Sequence, residues 1–500
     1  MDPILIWNEV ALEANAVNHT NGQEKAEGGP TRSSRALAIV HLAMYDAYVG
    51  IDTASGLNHY LNPPNPPAPG ATVEDAVAGA AFTVLTNIYP SQSAFFLSQL
   101  QVHGNLGSPG HDFGVDIADQ ILTLRANDPS ASAGTHTPTK GRGRHDVDPD
   151  NPTQGFHGPN YGTAPLFATK TRFTLSTPPF NNGTDNKYKK ALEQVRAKGI
   201  KPELMGTLPD KFKTDKRTPE ETLIGIFWGY DGALGLGTPP RLYNQMTRKI
   251  AKAKGTTPAQ NAKLFAMVNT AMADAGILAW AEKYRHDFWR PVVGIREHDT
   301  SFGMLNPGQP MPAAEKIDDN MDPFWLPLGA PSSNSANMNV MTAQNTFPFA
   351  NVQIGRVKNF TPPFPAYPSG HATFGAAAFQ IARLFFGVGK NDRRKPDNIL
   401  ENLKDPDSPA DDIFFISDEL NEKTQDNNGV IRPLHRRTFK DGLWGMIKEN
   451  GLSRIFLGVH WSFDAFDDGD SDFSNPIGGV NLGLRIAEDI WDSGLTPSTH

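Results

Sequence analysis

The chain has no cysteine among its 500 residues. This excludes disulfides, thiolate metal sites, iron–sulfur clusters and a cysteine nucleophile. It also suits a protein that meets strong oxidants, which would consume thiols first. No run approaches 18 consecutive apolar residues, so no membrane span is expected. The start, Met1-Asp2-Pro3-Ile4-Leu5-Ile6-Trp7-Asn8-Glu9, lacks the basic segment and long apolar core of a conventional secretory signal. A soluble protein of unassigned compartment is the expectation. A net charge of −8 argues against a general nucleic-acid partner. Neither a His-Glu-x-x-His zinc signature nor a Walker phosphate loop is present.

What the chain does contain is helix. Apolar residues at helical spacing predict helices over 6–17, 35–49, 74–88, 92–102, 112–125, 185–198, 219–230, 261–284, 372–386, 411–424, 436–455 and 481–493. Thr238 can cap another helix, and strand patterns are sparse. His41 and Asp46 read as satisfied core groups of the second helix. The stretch 127–179 is dense in Gly, Pro, Thr, Asp and His; its His145, Asp146, Asp148 and His157 read as parts of a structural loop rather than as metal ligands. Five hundred residues exceed what one core usually holds. The predicted fold is therefore mainly α, with two helical bundles packed together, divided as 1–210 and 211–500.

Three clusters carry chemistry. In Pro368-Ser369-Gly370-His371 two prolines, Pro365 and Pro368, set an extended entry. Ser369 then caps a helix whose free N–H groups and dipole favour an oxyanion. His371 adds a group that titrates near neutral pH. Lys283 and Arg290, seven apart, would point the same way on one helix. In Ser453-Arg454-Ile455-Phe456-Leu457-Gly458-Val459-His460, a break at Gly458 would let Arg454 and His460 converge. Two arginines, a lysine, helix N–H groups and two histidines together suit a dianionic tetrahedral oxyanion.

Taken in order, Lys-x6-Arg-Pro (283–291), Pro-Ser-Gly-His (368–371) and Ser-Arg-x5-His (453–460) resemble the signature shared by vanadium-dependent haloperoxidases and phosphatidic-acid-phosphatase-type acid phosphatases. Five further stretches (227–232, 237–245, 362–371, 453–461 and 476–480), with Arg35-Ala-Leu-Ala38, narrow the resemblance to the fungal-type vanadium chloroperoxidases and extend it over nearly the whole chain. That family has two four-helix bundles, and the resemblance places the site in the C-terminal one. It implies vanadate as cofactor, with His460 as its protein ligand. Lys283, Arg290 and Arg454 would neutralise its oxygens, and Ser369 and the Gly370 N–H would donate to it. His371 would be the acid–base group, Lys283 would also polarise bound peroxide, and Asp231 would support Arg454. Trp280 and Phe364 would line the halide side; Phe364 is chloroperoxidase-like, since several algal bromide-preferring relatives carry His there.

The implied reaction oxidises halide (bromide, and chloride as well) with hydrogen peroxide to hypohalous acid, which halogenates small organic acceptors. An acid phosphatase, with His460 as nucleophile, is the alternative. A non-catalytic oxyanion-binding protein is a third reading, disfavoured because simple binding does not need two histidines. The oligomeric state stays open. The acidic stretch 464–472 departs from the fungal pattern and is expected to be a solvated loop rather than a calcium site.

Overall fold

The computed structural model describes residues 2–21, 24–139, 141–232, 235–296, 322–332, 334–335, 358–467 and 476–499. The helices begin where local chemistry starts them. In the first third lie α1 (Pro3–Asn21), α2 (Gly29–Ile51), α3 (Val73–Ile88), α4 (Ser93–His103) and α5 (Pro109–Leu124). Thr72 and Ser108 accept from Asp75 N–H and His111 N–H to cap α3 and α5. Next come α6 (Asn186–Lys198), α7 (Pro219–Phe227), α8 (Pro239–Lys254), α9 (Pro258–His286) and α10 (Pro291–Arg296). Capping boxes open α7 (Thr218 with Glu221) and α9 (Thr257 with Gln260). The last third holds α11 (Gly370–Phe385), α12 (Gly442–Phe456), α13 (Ser462–Ala465) and α14 (Gly478–Ser493).

α2 packs on α3, α5 and α9, and α11 packs on α9, α12 and α14. α9 therefore lies between the two groups of helices. It is the one described helix long and apolar enough to cross a membrane, but 94 % of its apolar window is buried inside the protein. Its hydropathy is that of a core helix. α14 lies unusually close to α11 because two of its residues have no side chain. A Cβ on Gly479 would stand 2.4 Å from Ser369 O, and one on Gly483 2.4 Å from Thr373 O. This contact holds the first turn of α11 in place.

The structure corrects four local expectations. The 411–424 segment is not helical. Lys404–Asp405 (β1) pairs antiparallel with Ser408–Asp412 (β2), followed by a single 3-10 turn at Asp418–Leu420. Tertiary partners outweigh helix propensity there, since the Asp418 carboxylate accepts from Arg241 (2.5 Å) and Gln245 (3.1 Å). The helix expected from 436 starts only at Gly442, because Arg437 and Phe415 exchange main-chain hydrogen bonds and Gly442 has φ +65°. Lys283 and Arg290 do not share a helix: α9 ends at His286, and Asp287 turns the chain at φ +50°. Thr238 stands at the start of α8 but makes no capping hydrogen bond through its side chain. His41 and Asp46 are core groups as expected. His41 Nδ1 contacts Leu37 O (2.6 Å) and Nε2 contacts Asn8 (2.9 Å), while Asp46 accepts from the amides of Tyr60 and Leu61. Residues 468–472 of the acidic stretch lie outside the described residues. Among the described residues no cluster of three or more His, Asp or Glu could hold a metal ion.

Candidate functional site

The site forms at the N-terminus of α11. Ser369, fully buried, caps the helix by accepting from Ala372 N–H (3.4 Å), and its own N–H donates to Asp464 O (2.8 Å). Gly370 lets the turn lie close to Trp280, since a Cβ there would stand 3.2 Å from the ring. The carbonyl of His371 accepts from Asn450 (2.8 Å) and Tyr243 (3.3 Å), which fixes the ring that follows.

Three cationic side chains converge on this turn, all at zero exposure. Arg454, in the last turn of α12, makes a bidentate pair with Asp231, 3.0 Å on each arm. Arg290 follows the α9 hinge and donates through Nε to Phe364 O (2.9 Å). Its Nη1 reaches Val459 O (2.8 Å) and His460 Nε2 (2.9 Å). Lys283 donates to the carbonyls of Pro365 (2.8 Å), Ala366 (3.1 Å) and Pro368 (2.5 Å), so it braces the proline segment leading into α11. After α12, Gly458 takes φ +73° and passes 2.4 Å (measured from an added Cβ) from Gly199 O. No other residue fits there, and the turn brings His460 back beside Arg454's helix end.

The electrostatics follow from burial among cations. Burial, then Arg290, Lys283 and Arg454, hold His460 well below the usual imidazole range, so the ring is neutral. Its Nδ1 contacts Asp464 Oδ2 at 2.8 Å. The proton therefore sits on Nδ1, and Nε2 presents its lone pair toward the cavity and Arg290. Burial pushes the Asp464 carboxyl up to about 7, against Trp461 N–H, Lys283 and Arg290. Burial and Arg454 lower His371 to about 3, against Asp231, whose Oδ2 is 3.9 Å from His371 Nε2. Burial, with Arg454 nearby, brings Arg290 down to about 9, against Asp464 and Asp231. Burial works to raise Asp231, but Arg454 and His371 overcome it and hold the carboxyl below its usual range.

Among the buried polar atoms of this cluster that lack partners are Arg290 Nη2, Arg454 Nε and His371 Nε2. They stand around a cavity of about 240 Å³ lined by His19, His157, Asp231, Trp280, Phe360, Pro362, Pro363, Phe364, Gly370, His371, Arg454 and His460, among others. Lys283, Arg290 and Ser369 are fully buried and lie outside that lining. One wall is cationic and imidazole, the other aromatic. Trp280 and Phe364 meet at 4.7 Å, and Lys283 Nζ and the Arg290 guanidinium each lie 5.0 Å from the Phe364 ring centre.

All ten residues singled out from the sequence come together here. Two others escaped it. Asp464 was placed in the solvated acidic stretch, yet it is fully buried and orients His460. The available signal was its position four residues after His460, the spacing at which side chains on one turn meet. His157 was assigned to a structural loop, and nothing local marks it as part of the cavity wall.

Comparison with known proteins gives the family. Residues 1–159 match the model of the vanadium chloroperoxidase N-terminal domain, and residues 263–480 that of the VCPO second helical-bundle domain. The vanadium chloroperoxidase of Curvularia inaequalis is 34 % identical over 611 aligned residues, covering 99 % of this chain and 90 % of that protein. Among solved structures, a bacterial vanadium-dependent iodoperoxidase matches with a TM-score of 0.63 at 17 % identity, over 97 % of this chain and 95 % of that one. A holo-type bacterial vanadium-dependent chloroperoxidase matches with a TM-score of 0.52 at 16 % identity, over 93 % of each chain. These two show a shared helical fold, while the fungal identity over nearly the full length carries the kinship. With both family domains matched and that identity carried over nearly the whole chain, this chain belongs to the vanadium chloroperoxidase family.

Proposed function

We propose that this protein is a vanadate-dependent haloperoxidase that oxidises bromide and chloride with hydrogen peroxide. The observation that carries the reading is the pair of unpartnered buried donors, Arg290 Nη2 and Arg454 Nε, with the unpartnered His371 Nε2 and the His460 Nε2 lone pair beside them. A buried donor left without an acceptor costs roughly 1–3 kcal/mol. A tetrahedral oxyanion with a metal centre answers all of these groups at once. His460 Nε2 would hold the metal, and Arg290, Arg454, Ser369 and the Gly370 N–H would hold its oxygens. Lys283 would reach them by giving up one of its three carbonyl contacts. When bound, vanadate supplies a Lewis-acidic centre that activates peroxide toward halide.

The chain's own groups do the rest. In the net reaction halide gives two electrons to the peroxide O–O bond. One oxygen leaves in hypohalous acid, the other in water, and one proton is consumed. His371 Nε2, neutral and unpartnered, accepts a proton as peroxide arrives and returns it to the departing oxygen. Asp231 holds Arg454 in place and stabilises the imidazolium formed in between. With the cationic groups and His460 holding the oxyanion, halide would approach from the aromatic wall of Trp280 and Phe364. There Lys283 and Arg290 supply positive charge behind the rings. Hypohalous acid then reaches small organic acceptors.

The test compares vanadate-stripped protein with and without orthovanadate, supplied with peroxide, bromide or chloride, and a halogen-trapping dye. A phosphate ester is assayed in parallel. Vanadate-dependent halogenation supports the reading. Phosphate release without halogenation would transfer the same cavity to phosphoester hydrolysis.

A further inference from the structure

His157 enters the cavity from a segment far from any of the three motifs, and it is held there from several sides. Its N–H donates to Pro363 O (2.8 Å). Its carbonyl accepts from Trp280 Nε1 (3.1 Å) and from the Tyr284 hydroxyl (2.7 Å). The following segment lies directly on α9 because it lacks side chains there. A Cβ on Gly158 would stand 3.0 Å from Trp280 Nε1, and one on Gly162 2.4 Å from the Ala281 backbone. The ring fills the space where a Cβ of Gly29 would be, 2.4 Å from His157 Cε1. It lies against Trp280 (6.1 Å between ring centres) and Phe364 (6.2 Å).

The ring nitrogens are used unequally. Nε2 contacts the Thr31 hydroxyl at 3.2 Å. Nδ1 has no hydrogen-bond partner among the described residues, although the ring lines the cavity. Burial lowers this imidazole to about 4, so it is a neutral group that offers one N–H without changing charge in the neutral range. The aromatic wall is otherwise made of rings and prolines. An anion arriving there finds positive charge behind the Phe364 and Trp280 rings.

We infer that His157 is the hydrogen-bond donor for halide on the aromatic wall: the Thr31 hydroxyl donates to Nε2, the proton stays on Nδ1, and Nδ1–H binds the halide as it approaches the reacting oxygen. This inference rests on the haloperoxidase reading of the cavity. It adds a selectivity element that Phe364 alone does not supply. Chloride, the more strongly hydrated halide, gains more from a replacement donor than bromide does, so the contact favours chloride.

Two crossed variants separate the donor from the packing. His157→Phe fills the same space without an N–H. His157→Asn gives up volume but keeps an amide N–H near the position of Nδ1. In the vanadate-loaded enzyme, His157→Phe is expected to raise KM for chloride roughly tenfold and for bromide less. KM for peroxide and the vanadate requirement should be unchanged, and kcat at saturating halide should stay within about threefold. His157→Asn should restore most of the chloride KM. Line broadening of the chloride and bromide NMR signals by vanadate-free protein reads halide binding without turnover. It should be present in the wild type and in His157→Asn and weakened in His157→Phe. Unchanged KM and line broadening in His157→Phe would overturn the assignment, as would His157→Asn behaving like His157→Phe. If the wild type performs no vanadate-dependent halogenation at all, the haloperoxidase reading fails. The line-broadening comparison then still decides whether Nδ1–H binds halide.

Discussion

The two ends of α11 each hold a fully buried arginine, and the arginines are treated in opposite ways. At the C-terminal end Arg383 has every donor direction answered. Nε goes to Asp397 (2.9 Å), Nη1 to Gln380 (2.7 Å) and Arg393 O (2.6 Å), and Nη2 to Asp392 O (2.9 Å) and Lys395 O (2.8 Å). Asp397 in turn accepts from the amides of Leu443 and Trp444, so this cluster ties the end of α11 to the start of α12. At the N-terminal end Arg290 and Arg454 each keep one buried N–H with no acceptor, next to the unpartnered His371 Nε2. A buried charge whose donors are all met inside the protein is part of the architecture. One that keeps donors unmet, around a cavity, is waiting for a ligand. The same helix is thus anchored at one end and chemically open at the other.

This contrast yields a ranked set of outcomes. The largest is expected from His460→Ala, which removes the neutral nitrogen facing the cavity. Vanadate-dependent halide oxidation should fall by more than about 10³-fold, while the urea midpoint stays near that of the wild type. Normal vanadate binding and turnover in this variant would remove the ligand assignment. The mirror experiment is Arg383→Ala, which strands Asp397 in the interior. Equilibrium unfolding should show a loss of about 3–5 kcal/mol, with the kcat/KM of the folded fraction nearly unchanged. A stable but inactive Arg383→Ala protein would erase the distinction between the two ends.

Next in size is His371→Ala. Turnover should drop by about 10²–10⁴-fold, the range for a lost acid–base group. Vanadate affinity, read by titration of the stripped protein, should change far less. Wild-type turnover would mean that the proton moves elsewhere. The smallest effect belongs to Asp464→Asn. It keeps an acceptor for His460 Nδ1 but removes the carboxylate charge behind the ring, and should weaken vanadate binding by roughly tenfold. An unchanged affinity would reduce Asp464 to a turn-forming role through Trp461 N–H (3.0 Å) and Ser369 N–H (2.8 Å).

Much of the site was legible because its pieces are local. A proline-set entry, a serine cap and a histidine in the first turn are written within seven residues, 365–371, and the helix they predict starts at Gly370. Gly458 likewise announced the break that the backbone makes at φ +73°. Other features were hidden because they depend on partners distant in the chain. The 404–412 hairpin and the late start of α12 are decided by contacts such as Arg241–Asp418 and Phe415–Arg437, not by the residues that change conformation. Asp464 read as one more acidic loop residue, since its spacing from His460 gains meaning only once both are buried together.

By itself, then, the sequence determined a mainly helical chain, several caps and breaks of its helices, and which charged and imidazole side chains gather at the site. These are matters of backbone preference and side-chain type over a few residues. Only the tertiary structure decided which of several buried arginines keeps an unmet donor, which nitrogen of His460 faces the cavity, and that His157 joins the aromatic wall. Hydrogen-bond satisfaction and desolvation are properties of a site assembled from segments hundreds of residues apart, here 157, 231, 283–290, 364–371 and 454–464, and no local stretch encodes them.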